Sequence, residues 1–405
     1  MRVIGMDIHR SFAQAAILED GQFIKELRVD LTHERIVKFS KTLTLDDEVV
    51  IEATGNSLAV ERLLRPFVKR VIVANPRLVR AIAYARVKTD KIDARVLAQL
   101  QASGFLPDVW VPDDDTQRRR RQTTERLGVL EQAVRTKGRI HSILHANLIP
   151  KFTGHLFGKA GKKWLSSLPL PDDERSILAR LVDELERITA QLAEFDKVIA
   201  SESLVDPRAV RLMTIPGIGP IVASTVLASI GDISRFPTPE KLSSYFGLTP
   251  KIRQSGDRPA RHGRISKQGN VAARRMLVEA AWSAKLAPGP LRAFFNRVQK
   301  ARGAPAAAVA TARKLAVMIW HVLTSGADYA YARPAFTAMK MRKAALKAGA
   351  PRAYGKAGPA QDYWIKEIRD REAQYVERVE KAYEQMVAAW KQAPPKQKPA
   401  SAEKT

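Results

Sequence analysis

The order of secondary-structure signals in the first ~110 residues is the strongest constraint on the fold. "RVIGMDIH" and "FAQAAILE" are β-rich runs, and "DGQFIKELRV" follows a turn signal, which predicts a three-strand meander. "THERIVKFSKTL" opens with a capping Thr and continues at helical spacing. "EVVIEATG" reads as a buried strand ending in Gly, "NSLAVERLLRPF" as a capped helix, and "KRVIVAN" as a further strand before Pro76.

Three strands followed by helix, strand, helix and strand is the element order of an RNase H-like α/β sheet. A doubly wound nucleotide-binding fold would alternate from its first strand and need a Gly-rich first turn, which this sequence lacks. Within that order Asp7 falls in the first strand and Glu52 in "VVIEATG", where a charge interrupting an apolar run is costly. "VKTDKIDARVLAQL" adds Asp90 and Asp93, one turn apart on one face of a helix, beside Lys88, Lys91 and Arg95. Four carboxylates at one end of a sheet suit Mg²⁺, a hard cation that takes oxygen ligands. A pair of such ions about 4 Å apart stabilises the attacking and leaving oxygens of a phosphodiester. The neighbouring cations would then serve a nucleic-acid backbone. Taken singly, each acid also has a plain reading: Asp7 as a strand bend, Glu52 as a partner of the next helix N-terminus, and Asp90 with Asp93 as a solvated face.

Beyond "WVPDDDTQ" the chain becomes basic and helical. The expected domains are an RNase H-like (RuvC-like) unit at 1–110, a basic helix with coiled coil at 111–205, a mostly helical unit at 206–330, and a basic extension with a disordered tail at 331–405. "RRRRQTTERLGVLEQAVRTKGRIHSILHANL" is one long helix, with Leu127, Leu130, Val134, Leu144 and Leu148 among its apolar positions. Leu181, Leu185, Ile188, Leu192, Phe195 and Ile199 recur at alternating spacings of four and three, a coiled-coil seam. The two helices are expected to fold back as an antiparallel pair, or to pair between protomers.

Lys and Arg outnumber Asp and Glu by 68 to 42, a formal net charge of +26, which points to a polyanionic partner. The arginine run Arg118, Arg119, Arg120 and Arg121 is the expected footprint on a nucleic-acid backbone. Few aromatics interleave there, so base stacking by this helix is not indicated. No cysteine is present, which excludes thiolate zinc sites and cysteine nucleophiles. The opening "MRVIGMDIH" is a strand, and no run of about 18 apolar residues suggests a membrane span. A cytoplasmic protein without a membrane partner is expected.

Two further motifs carry chemistry. "IPGIGPIVAS" sets Gly217 and Gly219 between two helical patterns, the form of a helix-hairpin-helix whose bare backbone approaches a phosphate; a simple turn has the same form. "TPKIRQSGDRPARHGRISKQGN" reads as a polar loop in which Ser255 precedes Gly256 among Arg253, Arg258, Arg261, Arg264 and Lys267. An exposed serine on flexible backbone, surrounded by cations, is equipped to attack a phosphodiester. The residues alone fit equally a phosphate-binding loop whose serines only donate hydrogen bonds. Ser266, just before a helix, reads as a cap or phosphate contact.

The set "GMDIH", "IEATG" and "KTDKIDARVLA", followed by "IPGIGPIVASTVLASIGDISRF", "SYFGLTP" and "QSGDRPARHGRISKQGN", resembles the DEDD insertion-sequence transposases over residues 1–330. The resemblance implies a RuvC-like domain whose four acids are Asp7, Glu52, Asp90 and Asp93. It implies a transposase domain whose catalytic serine is Ser255, and recombination guided by a bridge RNA on donor and target DNA. It also implies Mg²⁺, a serine-linked DNA intermediate and a homo-oligomer, dimer or tetramer. A Mg²⁺-dependent nuclease of the same fold, with water as nucleophile, is the competing reading.

Overall fold

The structure is a computed structural model that describes residues 1–83, 89–254, 256, 260–352 and 361–392. It is mixed α/β, with a six-stranded sheet in the N-terminal unit, residues 1–112, and a mostly helical second unit from residue 113 onward.

In the first unit β1 (Arg2–Ile8), β2 (Phe12–Glu19) and β3 (Gln22–Asp30) form an antiparallel meander. Asp20 and Gly21 turn β2 into β3 with φ of 46° and 84°, the left-handed pair that a tight hairpin requires. Next come α1 (His33–Ser40), β4 (Glu48–Glu52), α2 (Ser57–Leu64), β5 (Arg70–Ala74), α3 (Pro76–Ile82), α4 (Asp90–Ala102) and β6 (Asp108–Val109). The strand order is β3-β2-β1-β4-β5-β6, with β1, β4 and β5 parallel. That order is compatible with an RNase H-like domain, and the short β6, antiparallel to β5, adds an edge that the sequence reading did not include.

Strand alternation gives the sheet two cores. Ile4, Met6 and Ile8 of β1 pack with Ile51, Val60 and Leu64 on one side. Val3 and Val50 pack with Leu97 and Ala98 of α4 on the other. The register Met6↔Ile51 makes Asp7 and Glu52 the next neighbours along β1 and β4, on the α4 side.

The second unit opens with α5 (Asp114–Ala146), α6 (Lys159–Ser166) and α7 (Asp172–Val205). Arg126 meets Asp196, Thr136 meets Glu184 and Asn147 meets Glu174, so α5 and α7 run antiparallel within the chain. On α7, Leu181, Leu185, Ile188 and Ile199 are buried, as the seam predicts. On α5 the buried stripe is Ala133, Thr136, Ile140 and Leu144, whereas Val134 is exposed and Leu148 lies past the end of the helix, exposed as well. Small and polar residues at the close contacts hid that face from an apolar count.

The remainder is α8 (Pro207–Leu212), α9 (Pro220–Ile230), α10 (Pro239–Tyr245), β7 (Pro250–Arg253), β8 (Arg261–Ile265), α11 (Val271–Ala284), α12 (Pro290–Arg302) and α13 (Ala304–Ser325). Leu212, Ile215, Val226, Leu277, Leu315 and Ile319 form its core. Among the described residues one helix, α13, is long and apolar enough to cross a membrane by length and composition, although Arg313 and Lys314 interrupt its apolar run. Ala308, Ala312, Leu315, Ala316 and Ile319 bury one of its faces in protein.

α14 (Pro334–Lys347), α15 (Gln361–Trp364) and α16 (Lys366–Gln392) follow. They are docked rather than appended. Glu380 of α16 accepts from Arg292 at 2.6 Å and from the Gly289 amide at 3.0 Å, and Val376 is buried. Of the tail 391–405 expected to be disordered, Lys391 and Gln392 end α16, and 393–405 lie outside the described residues.

Candidate metal centre and nucleic-acid interface

Thr89 caps α4, its hydroxyl accepting the Ile92 amide at 3.3 Å, so Asp90 and Asp93 occupy the first turn. There the partial positive charge of the helix terminus favours carboxylates. The same helix lies tight on the sheet. A Cβ added at Gly5 would stand 2.0 Å from the Ala94 carbonyl oxygen and 2.7 Å from the Ala98 nitrogen. Glycine therefore permits the close approach of β1 and α4.

Asp7 is buried, and Asp90 and His9 are half-buried. His9 Nε2 lies 3.1 Å from Asp90 Oδ2 and 3.4 Å from Asp7 Oδ2. Close as they are, this buried nitrogen makes no hydrogen bond. Ligand atoms of Asp7, His9 and Asp90 all fall within 4.8 Å of one another, a group able to hold a cation. A divalent ion between them would take the imidazole nitrogen and the two carboxylate oxygens as ligands at once. Glu52 and Asp93 stand on the same side of the sheet, half-buried, but outside that compact group.

The sequence reading missed His9. The signal was there: two residues beyond Asp7, it lies on the same side of β1 as that strand ends. Its backbone is fixed from two sides. Its amide donates to the Phe12 carbonyl at 2.9 Å, and its carbonyl accepts from Asn56 Nδ2 at 2.9 Å, joining the end of β1 to the segment after Glu52.

The cations beside the acids have partners of their own. Arg95 hydrogen-bonds Glu26 on β3, and Lys91 lies 3.9 Å from the same carboxylate. They bind helix to sheet. Lys88 lies outside the described residues.

The arginine run is likewise engaged. Arg118 pairs with Asp115 at 2.9 Å and Glu202 at 2.6 Å, and Arg119 with Asp206 at 2.8 Å. Arg120 donates to the carbonyls of Ala228 at 2.8 Å and Ser229 at 3.0 Å. Arg121 is exposed. Three of the four thus also tie helices of the second unit together. Burial pushes the Asp206 carboxyl up, but hydrogen bonds from Arg208 and Arg119 outweigh it and hold it at about 2.

At the glycine turn between α8 and α9, Gly217 has φ of 85°, and a Cβ there would meet the Ala280 carbonyl oxygen at 2.2 Å. Packing against α11 alone requires that glycine. Gly219, the N-cap of α9, faces open space. The expected polar loop is in part a two-stranded ribbon, with Arg253 paired to Arg261 and Pro250 to Ile265. Arg253, Arg261, Arg264 and Lys267 are exposed on it and just past it. Ser255 and Arg258 lie outside the described residues. Ser266 is half-buried, its amide bonded to the Thr249 carbonyl at 2.9 Å.

Comparison with known proteins fits this layout. Residues 4–148 match a transposase family of the DEDD IS110 type, and residues 209–296 match the transposase IS116/IS110/IS902 family. The transposase for insertion sequence element IS1111A of Coxiella burnetii is 26% identical over 81% of this chain and 91% of its own length. The transposase for insertion sequence element IS1328 of Yersinia enterocolitica is 25% identical over 69% of this chain and 84% of its own. A pilin gene-inverting protein of Moraxella bovis is 27% identical over 68% of this chain and 79% of its own. DEDD chemistry suggests a divalent metal, and the Asp7, His9 and Asp90 group suits one. With both family matches in their order along one sequence, the chain belongs to the IS110 family of DEDD transposases and is a DNA transposase.

Proposed function

We propose that this transposase is a cytoplasmic recombinase that cuts and rejoins DNA through a serine link, with Mg²⁺ held by Asp7, Glu52, Asp90 and Asp93 in an RNase H-like domain. The observation supporting it is the convergence of Asp7, His9 and Asp90 beside the other two acids in a chain of this family. Two Mg²⁺ ions there would supply charge stabilisation for the attacking and leaving oxygens of a phosphodiester. The carboxylates would be the ligands, two of them carried on the first turn of α4.

Ser255 is the proposed nucleophile. Its Oγ bonds to phosphorus, the strand's P–O bond breaks, the leaving hydroxyl takes up a proton and the serine proton passes to solvent. A hydroxyl of a second strand then attacks the phosphoserine, and Oγ leaves and is reprotonated. The bond energy is kept in the covalent link, so no ATP is consumed. Arg253, Arg258, Arg261, Arg264 and Lys267 would hold the phosphate. Kinship to a protein named for gene inversion supports strand exchange over simple cleavage. Sequence choice is delegated to a bridge RNA, and the working form is a homo-oligomer, a dimer or tetramer.

The deciding experiment is Ser255→Ala with the DNA substrate and Mg²⁺, followed by denaturation. The variant should bind DNA yet form neither adduct nor recombinant, while Ser266→Ala forms the adduct. Cleavage by Ser255→Ala at a near-normal rate would mean that water attacks and that the enzyme is a nuclease at this step. Sequencing of co-purified RNA tests the guide.

A further inference from the structure

A cavity of about 870 Å³ opens within the second unit, between the β7–β8 ribbon and helices α12 and α13. Its floor is apolar, formed by Leu248, Ile265, Phe294, Val309, Val317 and Met318. Five cations stand around that floor: Arg264, Lys267, Arg302, Arg313 and Lys314. Among the described residues that line it, none is acidic and none carries a neutral polar side chain.

Two features mark the place as more than a crevice. Lys267 holds φ at 56°, a left-handed backbone uncommon for a residue with a side chain, and such strain gathers at binding sites. Lys314 emerges from the middle of α13 with its ammonium 5.2 Å from the Phe294 ring centroid. Burial, and then the charge of Arg297, push that ammonium below its usual range, so the cavity carries positive charge that an anion would relieve.

We propose that this cavity receives one unstacked deoxynucleotide of single-stranded DNA, its base on the apolar floor and its phosphates on the cationic rim. The chemistry selects that occupant by elimination. A duplex presents phosphates to the rim but cannot bring an apolar surface to the floor, because its bases are stacked and paired. An unpaired base has two apolar faces and is tied to a phosphate on each side. A ribose would bury a 2′-hydroxyl against walls that, among the described residues, offer no acceptor side chain, an unfavourable exchange for its water. The same lack of polar side chains predicts little preference among the four bases. A volume of about 870 Å³ lies in the range of pockets that enclose one small ligand.

The inference uses only the chain's membership of a DNA transposase family, not the metal or serine reading, and is therefore tested in EDTA where no strand is cut. Affinities of the full chain are measured by fluorescence anisotropy for short oligodeoxyuridylate, for the abasic chain of equal charge, and for oligouridylate RNA. Loss of the bases should weaken binding of the DNA about tenfold, and filling the cavity should cost the DNA more affinity than the RNA, whose other contacts belong to the proposed guide-RNA surface. Ala310→Trp, which fills the cavity from α13, should reduce oligodeoxyuridylate to the abasic level and leave the abasic chain unchanged. Equal binding of base-bearing and abasic chains by the unaltered protein overturns the proposal, as does an Ala310→Trp substitution that costs the RNA as much affinity as the DNA. So does an Ala310→Trp protein that still distinguishes bases from no bases. Should that variant not fold, the comparison of base-bearing with abasic DNA on the unaltered protein decides alone.

Discussion

Lys340 Nζ on α14 donates to the Ile215 carbonyl at 2.9 Å, and it also hydrogen-bonds the Met213 carbonyl. A lysine beyond the part of the chain that resembles the family thereby closes the C-terminal end of α8, just before the glycine turn. Substituting Lys340→Met leaves two carbonyls without that donor and should destabilise the second unit by about 1–3 kcal/mol. Burial pushes the Lys340 ammonium down to about 8. Below that pH the ammonium is charged in both folded and unfolded chains, and the burial penalty is constant. From pH 8 up to the ordinary lysine value the folded chain has shed a proton that the unfolded chain keeps, so stability rises with pH. Urea midpoints at pH 7 and pH 10 should show the gap between native and variant widening at the higher value. A constant gap would mean that Lys340 does not titrate early.

Asp206 gives the same sign in the acid range, where stability again rises with pH because the unfolded chain keeps a proton that the folded chain has shed. Its carboxyl is held at about 2, against 3.8 ordinarily. Its contribution is present above the ordinary value and is lost as pH falls from about 4 through 2. The depression corresponds to a stabilisation on the order of 2 kcal/mol at neutral pH. Asp206→Asn should lower the thermal midpoint at pH 7, and the difference from native should shrink steadily on acidification to pH 2. A difference independent of pH would show that the helix cap matters, where its Oδ1 accepts the Arg208 amide at 3.0 Å, and the ion pairs do not.

How far the sequence disclosed this arrangement varies with the kind of signal. Strand order was readable because β1, β2, β4 and β5 are short apolar runs separated by turn and cap residues. The acids were readable because charge in such runs is rare. The partners of the cations were not. Glu26 precedes Arg95 by 69 positions, and Glu202 follows Arg118 by 84, so only folding reveals that these bases are internal ties. A run of four arginines looks alike whether it meets phosphate or protein. The α5 face escaped because Ala133 and Thr136 pack there, where an apolar count favours Val134. His9 escaped because the resemblance directs attention to carboxylates.

Gly5 was legible as a glycine, but not as the reason that α4 reaches the sheet. Its Cβ position is taken by the backbone of Ala94 and Ala98. Gly5→Ala should move the helix outward and destabilise the first unit by about 1–3 kcal/mol. Because Asp90 begins that helix, the same change should weaken binding of Mn²⁺ followed by its EPR signal. Unchanged stability and unchanged Mn²⁺ binding together would show that the sheet yields instead.

The last prediction concerns His9 itself. If the group of Asp7, His9 and Asp90 holds a divalent ion, removing either carboxylate removes both a ligand and a charge. Asp7→Asn and Asp90→Asn should then weaken Mn²⁺ at least about tenfold, while affinity for DNA stays within a few-fold because the surplus positive charge lies elsewhere. Asp93→Ala and Glu52→Gln should abolish cleavage with the same retention of DNA. His9 is different, since imidazole nitrogen suits Mn²⁺ better than it suits Mg²⁺, which prefers oxygen. His9→Ala should therefore reduce Mn²⁺ affinity more than Mg²⁺ affinity, a change in the ratio that simple loosening of the fold would not produce. Isothermal titration with each ion, at one pH and with thermal midpoints matched, reads that ratio directly. If both affinities fall together, His9 only positions Asp7 and Asp90; if neither falls, the nitrogen that lies 3.1 Å from Asp90 is no ligand at all.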